Sequence, residues 1–62
     1  MKTWWFEIVG EDSDLCGEEF FVEADDKREA FAIAKHEFPG EKLVTHGTVS
    51  ETEAEIMGFD TY

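Results

Sequence analysis

The chain has 62 residues, with 16 acidic side chains against 5 basic ones and a formal net charge of -11. This balance excludes a basic nucleic-acid binder, which needs Lys and Arg to displace counterions from phosphates, and also a cationic helix that lies on a membrane surface. A hydrophobic fraction of 42% and an aromatic fraction of 15% exclude a disordered acidic tail, so we expect one small folded domain over residues 1–62.

The first part of the sequence predicts a β-hairpin. Residues 2–9 are rich in aromatic and β-branched side chains, which favour a strand. Residues 18–24 also predict a strand, with Phe20, Val22 and Ala24 on one face and Glu19, Phe21 and Glu23 on the other. Gly10 and Gly17 bracket an acidic stretch between them, which is typical of a loop. We expect the two strands to pair across a connection of about eight residues, longer than the usual two to five.

A helix is predicted over residues 26–38. Asp26 followed three residues later by Glu29 fits an N-terminal capping pattern. Apolar side chains then recur at three- and four-residue steps and form one stripe along the helix. The helix should end at Pro39, because proline cannot continue the ladder of backbone hydrogen bonds.

A third strand and a short helix complete the predicted elements. Residues 41–49 predict a strand in which Gly47 marks either a weak point or a bulge. Ser50 and Glu53 then form a capping box that opens a helix over residues 51–57. Gly58 is placed to cap the C-terminal end of this helix.

The order of the predicted elements is β-β-α-β-α, with a short last helix. A right-handed crossover through the first helix favours placing the third strand beside the first. The predicted fold class is therefore α+β: a three-stranded antiparallel sheet in the order 2-1-3, with one helix packed on one face. Residues 2–9 would form the central strand, where apolar side chains on both faces are expected.

The sheet face opposite the helix carries the candidate interaction residues. A single helix covers one face, so Trp5 and Phe21 should lie on the other face among Glu7, Glu19 and Glu23. The aromatic side chains would anchor a protein partner, and the carboxylates would form an acidic rim that attracts a basic one.

Three arrangements of this second face are open. It could be covered by C-terminal residues of the same chain, namely Ile56, Met57, Phe59 and Tyr62. It could instead form the interface of a homodimer, since so short a chain gains stability from a partner. In the third arrangement it docks a different protein.

No catalytic, metal or cofactor site is predicted. Cys16 is the single cysteine, so no internal disulfide is possible, and nothing in the spacing pairs it with His36 or His46 as nucleophile and base. One cysteine and two separated histidines do not make a zinc set. We therefore expect a non-enzymatic protein without a cofactor.

One acidic segment partly matches a calcium-binding loop. Asp12, Asp14, Gly17 and Glu23 occupy the first, third, sixth and twelfth positions of that pattern. Cys16 stands where an oxygen ligand belongs, and the flanking segments are predicted strands rather than helices. A solvated hairpin loop is the favoured interpretation.

The function predicted from the sequence is a protein-interaction module whose partner is a basic protein or a second copy of the chain, with no direct binding of nucleic acid or membranes. The single cysteine and the absence of an apolar run of about 18 residues favour a cytoplasmic protein. The alternative is a DNA mimic. The chain is similar in size and charge to small acidic proteins of phages and mobile elements that inhibit nucleic-acid-binding proteins.

A DNA mimic would present carboxylates in place of the backbone charge of DNA, which is one negative charge per roughly 1.7 Å of duplex axis. In this chain, carboxylates occur in every predicted strand, loop and helix. This even distribution of carboxylates also fits a simpler interpretation, in which the net charge keeps a small protein dispersed in solution.

The net charge also predicts that stability depends on salt. The expected radius of gyration is roughly 11 Å, which is comparable to the Debye length of about 8 Å in physiological salt. Carboxylates on opposite sides of the molecule therefore repel one another, and added NaCl should raise the melting temperature. Thermal melts followed by circular dichroism at low and moderate salt test this, and an unchanged melting temperature would contradict it.

Overall fold

Five elements follow one another in the computed structural model, which describes residues 1–62. They are β1 (Lys2–Ile8), β2 (Glu19–Ala24), α1 (Lys27–Glu37), β3 (Leu43–Val49) and α2 (Glu51–Met57). The three strands form an antiparallel sheet in the order β2-β1-β3. The predicted fold class and strand order are confirmed, and each predicted element overlaps the observed one with its ends displaced by no more than two residues.

Helix α1 begins at a side-chain cap and ends where its hydrogen-bond ladder is blocked. The Asp26 carboxylate accepts a hydrogen bond from the Glu29 backbone N–H at 2.8 Å, as the spacing predicts. Phe38 is the C-terminal cap, immediately before Pro39. The buried residues of α1, Ala30 and Ala34, are small, so the helix axis can approach the sheet closely.

The core lies between α1 and the first face of the sheet. Phe6, Ile8 and Val22 are each 0% exposed there. The ring of Phe6 stacks on Phe20 with centroids 5.5 Å apart and makes a T-shaped contact with Phe31, whose centroid is 5.0 Å away. These contacts place the centre of the core beneath the middle of the central strand, and the radius of gyration is 10.9 Å.

Strand β3 contains a bulge. Trp5 pairs with Gly47 and Phe6 pairs with Thr45, so His46 is an extra residue in β3 at this point. Gly47 has a φ of +96°, a conformation that side chains with a Cβ atom rarely adopt. Of the two roles predicted for Gly47, the bulge is therefore the correct one. The strand begins at Leu43, two residues later than predicted, and so contains no acidic residue.

The C-terminal residues pair with the outer edge of β2. The Phe21 N–H donates to the Asp60 carbonyl at 2.8 Å, and the Tyr62 N–H donates to the Phe21 carbonyl at the same distance. The Glu23 N–H donates to the Tyr62 carbonyl at 3.2 Å, and Phe21 and Thr61 form a parallel bridge. This pairing occupies one edge of the sheet, whereas the outer edge of β3 has no neighbouring strand.

Candidate functional site

The second face of the sheet is covered at one end. Phe21 is 1% exposed because Phe59 packs on it, with ring centroids 5.4 Å apart. Ala54 of α2 and Phe59 border the same depression as Thr3 and Phe21. The prediction of Phe21 as an exposed anchor is therefore wrong, because the side chain lies inside the fold and cannot contact a partner.

Tyr62 and Ile56 do not join Phe59 on this face. The ring of Tyr62 packs in T-shaped contacts against the rings of Phe20 and Phe38, with centroids 5.7 Å and 5.5 Å apart, and both of these rings belong to the core on the first face. Ile56 is 80% exposed. The prediction that C-terminal residues cover the second face is thus confirmed for Phe59 and wrong for Tyr62 and Ile56. As a result, Trp5 on this face is only half-buried.

Four side chains meet on the second face at the end of the sheet that α2 leaves open. Glu7 and Glu19 are directly opposite each other on β1 and β2, and His46 reaches them from the bulge in β3. His46 Nε2–H donates to Glu7 Oε1 at 2.8 Å, and Trp5 Nε1–H donates to Glu19 Oε1 at 3.2 Å. The rings of Trp5 and His46 lie 4.4 Å apart. We refer to Trp5, Glu7, Glu19 and His46 as the Trp5 cluster.

The Trp5 cluster is accessible to solvent and carries an excess of negative charge. The side chains of His46 and Glu7 are 37% and 32% exposed. Directly opposed carboxylates such as Glu7 and Glu19 repel each other. No Lys or Arg forms an ion pair with either of them, and the only basic side chain in contact with Glu7 is the imidazole of His46. The cluster is therefore suited to a ligand with positive charge.

Glu23 lies apart from the Trp5 cluster. It pairs with Thr3 near the beginning of β1 and borders the depression beside α2, together with Glu51 and Glu55. Of the five predicted interaction residues, the structure brings Trp5, Glu7 and Glu19 together. It buries Phe21 and places Glu23 among the carboxylates of α2.

Sequence reasoning missed the position of His46 and did not place it beside the predicted interaction residues. The three titratable residues of the cluster come from three strands, so no local spacing connects them. One signal was available, because Gly47 indicated a bulge and a bulge changes the direction of neighbouring side chains. The strand order and the bulge together were needed to bring His46 to Glu7.

The partial calcium-loop pattern does not form a site. Glu23 pairs with Thr3 near the beginning of β1, whereas the loop that contains Asp12 and Asp14 follows the end of β1. The carboxylate in the twelfth position thus lies at the opposite end of the hairpin from the loop. Within the loop, the Ser13 hydroxyl donates to the Glu41 carboxylate, and Cys16 is exposed.

Comparisons with known proteins give no match. No family model matches the sequence, no curated protein matches it, and no solved structure matches it. Neither of the two helices has the length and apolar character needed to cross a bilayer. The geometry and charge of the chain are therefore the basis for a proposed function.

Proposed function

We propose that the chain is a non-enzymatic binding module that takes up an extended, basic segment of another protein along the free edge of β3. The observation that carries the proposal is the distribution of charge. Strand β3 contains no acidic residue, whereas each of the other strands and helices contains at least one. An unpaired, neutral edge within an acidic surface fits the addition of a strand, and the surrounding carboxylates attract a basic one.

The backbone of β3 offers hydrogen bonds on its outer side. Ile8 bonds toward β2, since its N–H donates to the Glu18 carbonyl at 2.9 Å and its carbonyl accepts from the Gly17 N–H at 2.8 Å. The direction of bonding alternates along a strand, so Trp4 also bonds toward β2. Thr48, the partner of Trp4 on β3, therefore directs its backbone groups away from the sheet. An added strand would bond to them.

The Trp5 cluster supports a basic partner over a second copy of the chain. The cluster adjoins the free edge, because His46 belongs to β3 and Glu7 to the neighbouring strand. A Lys or Arg side chain on the added strand would form charge-assisted hydrogen bonds with Glu7 or Glu19, and Trp5 would offer a cation–π contact. The net charge of -11 speeds the encounter with a basic protein and opposes self-association.

A peptide titration tests this function. The probe is a short peptide of alternating lysine and valine, added to isotope-labelled protein and followed by amide NMR shifts. We expect the largest shifts in residues 43–49. Thr48→Pro should weaken binding about tenfold, because it removes one outward N–H, equivalent to about 1.4 kcal/mol, at an edge position where proline is tolerated. Thr48→Ala keeps the N–H and is the matched control.

The same titration separates strand addition from DNA mimicry. In a DNA mimic, peptide shifts would be spread over the carboxylate-bearing elements, would vanish in high salt and would be the same in Thr48→Pro as in the native chain. Duplex DNA would then compete with the chain for a DNA-binding protein. This set of results would overturn strand addition at β3.

A further inference from the structure

We infer that Glu7, Glu19 and His46 form a binding site for a divalent transition-metal ion such as Zn²⁺. One ligand atom from each residue lies within 4.8 Å of the ligand atoms of the other two. The residues come from three adjacent strands, and all three project from the second face of the sheet. The inference goes beyond the proposed function and does not depend on it, since none of the three residues needs a bound peptide to meet the others.

The separations are compatible with metal ligation. Three atoms no more than 4.8 Å apart have a common point that lies no more than about 2.8 Å from each of them. Bonds from Zn²⁺ to His nitrogen and carboxylate oxygen are about 2.0–2.2 Å long. Closing that difference needs a side-chain movement of less than about 1 Å. Surface side chains such as those of Glu7 and His46 can make it by rotation.

The surroundings of the three residues also fit a cation. A metal ion would relieve the repulsion between the carboxylates of Glu7 and Glu19. Neither carboxylate forms an ion pair with a Lys or Arg. Glu19 accepts a hydrogen bond from Trp5 Nε1–H at 3.2 Å, and a ligating carboxylate is commonly oriented by such a contact. The bulge in β3 is what directs His46 toward the two carboxylates, and bulges are frequent next to functional sites.

The ligand set indicates the class of metal. An imidazole nitrogen favours zinc, copper, nickel or iron, whereas calcium and magnesium prefer oxygen ligands alone. His46 would bind the metal through Nε2. The Nε2 proton would leave to solvent, or the ring would carry its proton on Nδ1 instead. The hydrogen bond between His46 and Glu7 would then be replaced by two bonds to the metal, one from each side chain. Water would complete the coordination, because His46 and Glu7 are partly exposed.

A Zn²⁺ titration with calorimetric and NMR detection tests the site. We expect one ion per chain, with shifts of the His46 ring and of the Trp5 indole N–H. The Trp4 indole is an internal control, because its N–H donates to the Ala24 carbonyl at 3.1 Å and it takes no part in the cluster. His36, which lies on α1, should likewise be unaffected.

Variants decide whether these residues carry the binding. His46→Ala should lower the affinity for Zn²⁺ at least tenfold, and Glu19→Gln, which preserves the shape of the side chain, should also lower it. His36→Ala is the matched control and should bind as the native chain does. Zn²⁺ should raise the melting temperature of the native chain and of His36→Ala but not that of His46→Ala, and Ca²⁺ should not reproduce the effect.

Two results would overturn the metal site. One is an affinity for Zn²⁺ that is the same in His46→Ala and in the native chain. The other is weak binding of several ions, with shifts spread over all acidic segments. Thr48→Pro should leave Zn²⁺ binding unchanged, whereas His46→Ala should abolish most of it. If strand addition at β3 fails, peptide binding does not respond to Thr48→Pro; if the metal site fails, Zn²⁺ binding does not respond to His46→Ala.

Discussion

Replacing Phe6 by alanine should lower the free energy of unfolding by about 3–5 kcal/mol, the usual cost of removing a buried aromatic ring. Phe6 is 0% exposed, stacks on Phe20 and makes a T-shaped contact with Phe31, so two aromatic neighbours would line the cavity. At about 0.05–0.15 kcal/mol per residue, a chain of this length has a total stability of about 3–9 kcal/mol. The substitution therefore removes a large part of that stability, and much of the population should be unfolded.

Urea denaturation followed by tryptophan fluorescence and circular dichroism measures this effect. Ile56→Ala is the matched control, because Ile56 is 80% exposed and its substitution should change the stability by less than about 0.5 kcal/mol. If Phe6→Ala cost no more than Ile56→Ala, the core could not be centred on β1 and the packing described above would be wrong.

The elements of the fold could be predicted because their signals are local. The Asp26 cap and the capping box of Ser50 and Glu53 depend on residues three positions apart, and both are present. The left-handed conformation of Gly58, with a φ of +71°, is likewise a property that glycine supplies by itself. Strand order followed from the length and handedness of the connections.

The sequence left the covering of the second face as one of three arrangements, because the choice among them depends on contacts between distant residues. Alternation places Phe21 on that face but does not say whether anything packs on it. The pairing of residues 60–62 with β2 uses backbone hydrogen bonds, which any sequence can make. Phe59 and Tyr62 then fall on opposite faces of the sheet, as their contacts with Phe21 and Phe20 show.

Only part of the candidate site could be predicted, because the position of its remaining residue also depends on distant parts of the chain. The register of Glu7 and Glu19 follows from the hairpin, and both residues were expected on the second face. The position of His46 depends on one extra residue in β3, and a shift of one residue reverses the faces of all that follow. Val49 thus pairs with Thr3, a residue of the second face, whereas strict alternation along β3 would put it on the same face as Leu43, which pairs with Ile8.

Ending the chain at Gly58 should lower the free energy of unfolding by about 2–4 kcal/mol. The deletion uncovers Phe21, removes the Tyr62 contacts with Phe20 and Phe38, and abolishes the hydrogen bonds that residues 60–62 make with β2. Part of this decrease in the free energy of unfolding is offset, because the deleted residues no longer lose conformational entropy on folding. Gly58 itself stays and still caps α2 through its N–H, which donates to the Ala54 carbonyl.

The deletion should also change the behaviour of the chain in solution, because it leaves the outer edge of β2 unpaired beside an uncovered Phe21. Exposed edges of this kind promote association between chains. Sedimentation velocity should therefore show oligomers for the shortened chain in moderate salt, where repulsion between acidic chains is screened. Phe59→Ala separates the two causes: it uncovers Phe21 but leaves the backbone pairing of residues 60–62 available. It should thus destabilise the monomer with less association than the deletion, and equal association of both variants would mean that residues 60–62 do not protect the edge.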